Sequence, residues 1–241
     1  MNDGSGDPPA APLRAPHAVT TDHVFAWYRE AMQLWRVSPA MFALLAGIVI
    51  AVELVLRLVP VAGVLLAQLV VPLLECSLLY ASLAADRGDR PRLRHLLAIA
   101  GASPRAQLAV VLAGLIVFAA QALAAGALTD VDILRPSVDS RMSLGDFTVI
   151  VAAGVVASMP FGFVAPIALF DDPGVAASFR GSIAGFARNP VPMLVYAGLS
   201  IILFVFGVVT SLLGMLLALP WLAASLYAAW KDVFAVSAPR S

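Results

Sequence analysis

The stretch AMFALLAGIVIAVELVLRLV, residues 40–59, decides the fold. It carries only Glu53 and Arg57 as charges, and a helix of about 20 residues is about 30 Å long, the thickness of a bilayer's hydrocarbon core. After a turn at Pro60-Val61-Ala62 comes a second run, GVLLAQLVVPLLECSLLYASLA, residues 63–84. Further runs follow near Ala106–Leu128, Phe147–Phe170, Val191–Val208 and Ser211–Trp230. Backbone polar groups find no water in lipid, so each run must be helical. The pattern predicts an all-α polytopic membrane helix bundle, with six transmembrane helices arranged as three hairpins.

Composition agrees. Of 241 residues 61% are hydrophobic and 12% charged, and mean hydropathy is +0.93. A soluble domain carries roughly 25% charged residues, and a disordered chain is poor in apolar ones. The single cysteine excludes a disulfide framework; Cys76 sits in an apolar run and reads as a small buried hydrophobe. Fifteen basic residues balance fifteen acidic ones, so nothing points to nucleic acid as a partner.

The distribution of charge carries more than its sum. Twelve basic residues fall on one side of the six runs: Arg14, Arg29, Arg36, Arg87, Arg90, Arg92, Arg94, Arg105, Arg180, Arg188, Lys231 and Arg240. Arg135 and Arg141 lie on the other, in a loop shared with Asp130, Asp132, Asp139 and Asp146. The positive-inside rule places both termini in the cytoplasm. Residues 1–19, with Pro8, Pro9, Pro12 and Pro16, read as a disordered cytoplasmic tail. They lack the basic start and apolar core of a signal peptide. Residues 20–236 form a single membrane domain and 237–241 a short tail.

A unit recurs before the odd-numbered spans: an amphipathic stretch, a proline, then a hairpin. Val24, Trp27, Tyr28, Ala31, Leu34 and Trp35 make the first stripe, ahead of Pro39; Val175, Phe179, Ile183 and Phe186 make the last, ahead of Pro190. Leu93 to Ala102 before Pro104 is the less clear middle copy. These stretches predict helices lying in the membrane interface. Val71-Pro72, Met159-Pro160 and Leu219-Pro220 each interrupt an even-numbered span, and Pro39, Gly47 and Gly63 match Pro190, Gly198 and Gly214 at one offset.

The run Pro60-Val61-Ala62-Gly63, then Pro72, Phe179 through Arg188-Asn189-Pro190, and Tyr227-Ala228-Ala229-Trp230-Lys231-Asp232-Val233-Phe234 resembles an uncharacterised family of bacterial six-span inner-membrane proteins. That family is similar in plan to the YciC-like proteins and to the membrane domain preceding some glycerophosphodiester phosphodiesterases. The resemblance covers about residues 20–236. It implies a location and a fold, with no reaction and no catalytic residues to carry over.

Ionisable groups inside a bilayer cost about 2.5–3.5 kcal/mol on insertion scales, so each is a candidate site. Glu75, halfway along the second span and near Pro72, is the sharpest: it binds a cation, a proton or a polar substrate group, or else it is a neutral carboxyl bonding helices together. Glu53 and Arg57, spaced i, i+4 with the acid first, read as a structural ion pair. Gln68, Gln107 and Gln121 read as groups that bond helices to each other. Arg87, Arg90, Arg92 and Arg94 either contact anionic lipid headgroups, at about 1 kcal/mol each, or only fix topology. His17, His23 and His95 are too scattered for a metal site, and there is no Walker loop, dinucleotide fingerprint or nucleophile elbow. No cofactor and no enzymatic activity are expected. The leading expectation is a scaffold or accessory subunit whose partners are membrane lipids and another membrane protein or a second copy of the chain. The rival is a small-solute transporter using Glu75 and the proline-broken spans.

Overall fold

The computed structural model describes residues 14–129, 131–134, 142–210 and 213–236. These form an all-α membrane bundle. Helix α1 spans Asp22–Arg36, α2 Pro39–Arg57, α3 Ala62–Asp86, α4 Pro104–Leu128, α5 Leu144–Ser158, α6 Val164–Phe170, α7 Val175–Arg188, α8 Pro190–Val209 and α9 Met215–Val233, with 3-10 segments at Leu93–Gly101 and Met159–Phe161. Helices α2, α4 and α8 each begin on a proline, whose missing N–H costs nothing in a first turn.

Five helices are long and apolar enough to cross a membrane: α2, α3, α4, Leu144–Phe161 and α8. The expected sixth span is α9, which packs against α2 and α3 but is less apolar. Its polar residues face protein: Ser225, Tyr227 and Trp230 are buried, and Lys231 is paired. The expected fourth span, Phe147–Phe170, is not continuous. Pro160 and Pro166 cannot supply helical N–H donors, and the chain breaks between α5 and α6. Ser182 of α7 repairs the gap, donating to the Pro160 carbonyl (2.9 Å) and accepting from Phe163 N–H (3.0 Å). Pro72 and Pro220, by contrast, sit inside continuous helices.

Helices α3, α4, α5, α8 and α9 follow one another around a ring, with α9 closing on α3 and α2 packed outside against both. All the described basic residues except Arg57 gather at one end of this ring, hereafter the arginine-rich end. There α6 joins α3 and α9 through Phe170, whose ring meets Tyr80, Tyr227 and Trp230 at 5.7, 5.9 and 5.2 Å.

The contacts of α1 and α7 show what their amphipathic stripes cover. The α1 stripe is buried in protein: Val24, Trp27, Tyr28, Ala31 and Leu34 cover α9 and α8. Tyr28 stacks on Tyr196 at 5.5 Å and its hydroxyl meets Ser200 at 3.2 Å, while Trp221 donates to the Tyr28 carbonyl. Helix α7 sets Val175, Phe179 and Phe186 of its expected stripe against the core, partly buried, and makes its closest approach through the small residues beside them. Its small residues Ser178, Gly181, Ser182 and Gly185 are buried, whereas Ile183 is exposed. Small side chains let α7 approach the α5–α6 break closely enough for Ser182 to reach it.

The repeat is half explained. A Cβ on Gly63 would overlap the Leu56 carbonyl and one on Gly214 the Thr210 hydroxyl, so both hairpin turns require glycine. Gly47 and Gly198 have room for a side chain. Residues 14–19 are not loose: His17 N–H donates to the Val233 carbonyl (2.9 Å), and buried Asn189 accepts from Val19 N–H (2.7 Å) and donates to the His17 carbonyl (2.9 Å). Residues 1–13 and 237–241 lie outside the described residues, as do Arg135, Arg141, Asp130 and Asp139.

Candidate functional site

Three polar groupings stand out, and only two contain residues expected from the sequence. The first is Glu75. On α3 its helical neighbours toward the arginine-rich end, Leu78, Leu79 and Ser82, are buried, as is Val71 one turn the other way. Glu75 itself is exposed. It therefore lies on the inward face of α3 where the packing opens, and among the described residues it has no hydrogen bond or ion pair. Gln68, one heptad earlier on the same face, is half-buried, and Glu53 of α2 is an electrostatic neighbour of Glu75.

Glu53 is held by Arg57, whose Nε and Nη2 reach Oε1 at 3.0 and 2.6 Å. That is the i, i+4 pair expected. The glutamines also bond or pack between elements: Gln107 Nε2 donates to the Ile99 and Ala102 carbonyls, both at 3.1 Å, and Gln121 lies against Gly154 of α5.

The second grouping is the loop after α3. Arg87, Arg90, Arg92 and Arg94 are all exposed and form no ion pair among the described residues. Leu93 and Leu97 beside them are also exposed. Ile99, buried against Cys76 and Val110, anchors the segment from below. His95 Nδ1 accepts from Arg92 N–H at 3.0 Å. Partial burial, and next the Arg94 charge, hold the His95 imidazole below its ordinary range, which keeps that nitrogen an acceptor.

The third grouping was not expected. Lys231, at the end of α9, reaches Asp86 of α3 at 2.7 Å and Glu30 of α1 at 3.1 Å, with its ammonium 5.5 Å from the Tyr227 ring centre. Tyr227 donates to the other Asp86 oxygen at 2.9 Å. The next residue, Asp232, takes Trp27 Nε1 at 2.8 Å and His23 Nδ1 at 2.7 Å. A cleft of about 580 Å³ opens over this cluster, lined by His17, His23, Trp27, Glu30, Lys231 and Asp232 among others. The sequence held one signal: Lys231 is the chain's single lysine among fourteen arginines, inside the quoted Tyr227–Phe234 run. The partners come from positions about 145 and 200 residues away, which no local spacing reveals.

A fourth contact ties the same end together. Asp172, at a left-handed φ of +43° that aspartate tolerates, accepts from Ser103 at 2.7 Å and pairs with Arg105 at 3.1 Å. Among the described residues no three of His, Cys, Asp and Glu gather closely enough to hold a metal ion. Compared with protein-family models, curated proteins and solved structures, the chain gives no significant match.

Proposed function

We propose that the chain is a non-enzymatic inner-membrane component of bacterial type, with both termini cytoplasmic, that holds anionic lipid at its arginine-rich end as a scaffold or accessory subunit. This keeps the six-span plan that the sequence resembles. The carrying observation is the exposed Arg87–Arg94 loop, with four arginines that have no carboxylate partner among the described residues and two exposed leucines beside them. Guanidinium groups at headgroup depth bind phosphate bidentately, and leucines beside them enter the acyl region. Each arginine contributes about 1 kcal/mol near an anionic surface. The test is native mass spectrometry of protein released from its own membrane, beside a variant with all four arginines replaced by glutamine. Retained anionic lipid that disappears in the variant supports the reading; equal lipid retention in both overturns it.

A second reading has its own observation. Glu75 is exposed between buried neighbours on the inward face of α3, without a hydrogen-bond partner among the described residues. A carboxylate so placed suits a cation-coupled transporter, with Pro72, Pro160, Pro166 and Pro220 allowing its helices to bend. Dicyclohexylcarbodiimide, an apolar carboxyl reagent, tests it. An adduct lost in Glu75→Gln and slowed by added sodium or potassium ions supports the reading. Failure to modify Glu75, or modification indifferent to cations, counts against it.

A further inference from the structure

We infer that the Lys231 cluster is a lock that seals the arginine-rich end of the bundle against the space in which Glu75 lies; this rests on the transport reading. The argument follows one face of α3. Glu75 is exposed; Leu79 and Ser82, one and two turns further on, are 4% and 0% exposed. Asp86, at the end of the same face, closes the row through Lys231 and Tyr227. Accessibility at mid-bundle thus ends against a sealed layer, and the sealed layer ends in an ionic junction.

That junction joins the parts that must separate for the seal to open. Lys231 belongs to α9, Asp86 to α3 and Glu30 to α1, so one ammonium bridges three helices. Asp232 adds a second attachment of α1 through His23 and Trp27. An ammonium between two carboxylates stays charged, and its side chain is only 14% exposed. Removing it leaves the Asp86 carboxylate nearly buried beside Glu30, and their repulsion drives α1 and α3 apart. In contrast, the Glu53–Arg57 pair lies within a single helix and bridges nothing.

The chain's single cysteine makes the test direct. On a Cys76→Ala background, Glu75→Cys supplies one thiol at the position in question. Vesicles of both orientations are treated with a membrane-impermeant maleimide. The lock requires labelling from the opposite side, little from the arginine-rich side, and at least a tenfold rise from that side when Lys231→Met is added. Glu30→Gln, which removes only the charge of a half-exposed partner, raises it two- to threefold. Opposite-side labelling that persists while neither variant changes arginine-rich-side labelling overturns the lock and leaves the transport reading standing. A thiol that labels from neither side in the parent overturns both.

Discussion

The two ends of the bundle are built from the same kinds of helix and held by different forces. At the arginine-rich end, the most fully buried large side chains collect: Trp27, Tyr227, Phe42, Phe163, Leu45, Leu78 and Ile167. The inter-helix ion pairs among the described residues are there too. At the opposite end, Leu65, Leu69, Leu123 and Phe206 are exposed, and the ion pair is internal to α2. What differs is the neighbour. Three shorter helices, α1, α6 and α7, cover only the first end, so its helices are embedded in protein while those at the other face mainly lipid or open space. A polytopic chain of this kind packs one end more densely by folding short helices against it.

Substitutions at the two ends sharpen that contrast. The largest effect is expected from Trp27→Ala, which empties a buried site and strands Asp232; it costs about 3–5 kcal/mol. Phe206→Ala at the exposed end costs less than about 1 kcal/mol, and denaturant titration in detergent compares the two. Lys231→Met comes next, at about 3 kcal/mol for leaving a nearly buried carboxylate unpaired. Glu53→Gln, in a half-exposed pair, costs under about 1 kcal/mol. Equal costs for Lys231→Met and Glu53→Gln would break the comparison.

Smaller effects probe the turns. Gly198→Ala, which meets open space within α8, stabilises by about 0.5–1 kcal/mol through helix propensity, whereas Gly214→Ala at the matching repeat position of Gly63 lowers the melting temperature. The end of α9 offers a last case. Ala235 sits at φ +48°, with its N–H on the Asp232 carbonyl and Val236 N–H on the Lys231 carbonyl, a helix stop usually made with glycine. Ala235→Gly removes about 1 kcal/mol of left-handed strain and raises thermal stability.

A pH effect is expected in the loop after α3. Because the folded His95 lies below its unfolded value near 6.5, the neutral imidazole is the form the fold favours. Its contribution is present above that value and fades as pH falls through the lower folded one. Imidazole shifts in NMR are expected to titrate below 6.5, with the Arg92 amide moving in step.

Much of this was legible in the sequence. The spans, the hairpins and the Glu53–Arg57 pair follow from helix length and i, i+4 spacing, which are local. The sorting of basic residues to one end follows from simple alternation of spans. The α1 stripe was also legible, but its destination was not. Apolar residues at helical spacing look the same whether lipid or α9 covers them, and hydrogen-bonding rings such as Trp27 and Tyr28 suit either setting. The break in the fourth span depends on Ser182, a residue of another helix. The Lys231 cluster depends on Glu30 and Asp86, whose distance in the chain hides them from any window. Glu75 was found because a mid-span carboxylate is costly wherever it points.

The most direct test of an end-to-end difference is a cysteine series along the inward face of α3. Gln68→Cys, Glu75→Cys, Leu79→Cys and Ser82→Cys, each with Cys76→Ala, are compared for their rate of reaction with a small water-soluble thiol reagent in nanodiscs. The two-ended bundle requires rapid reaction at positions 68 and 75 and at least a tenfold drop at 79 and 82. Uniform rates along the series, or faster reaction at 82 than at 75, would contradict it.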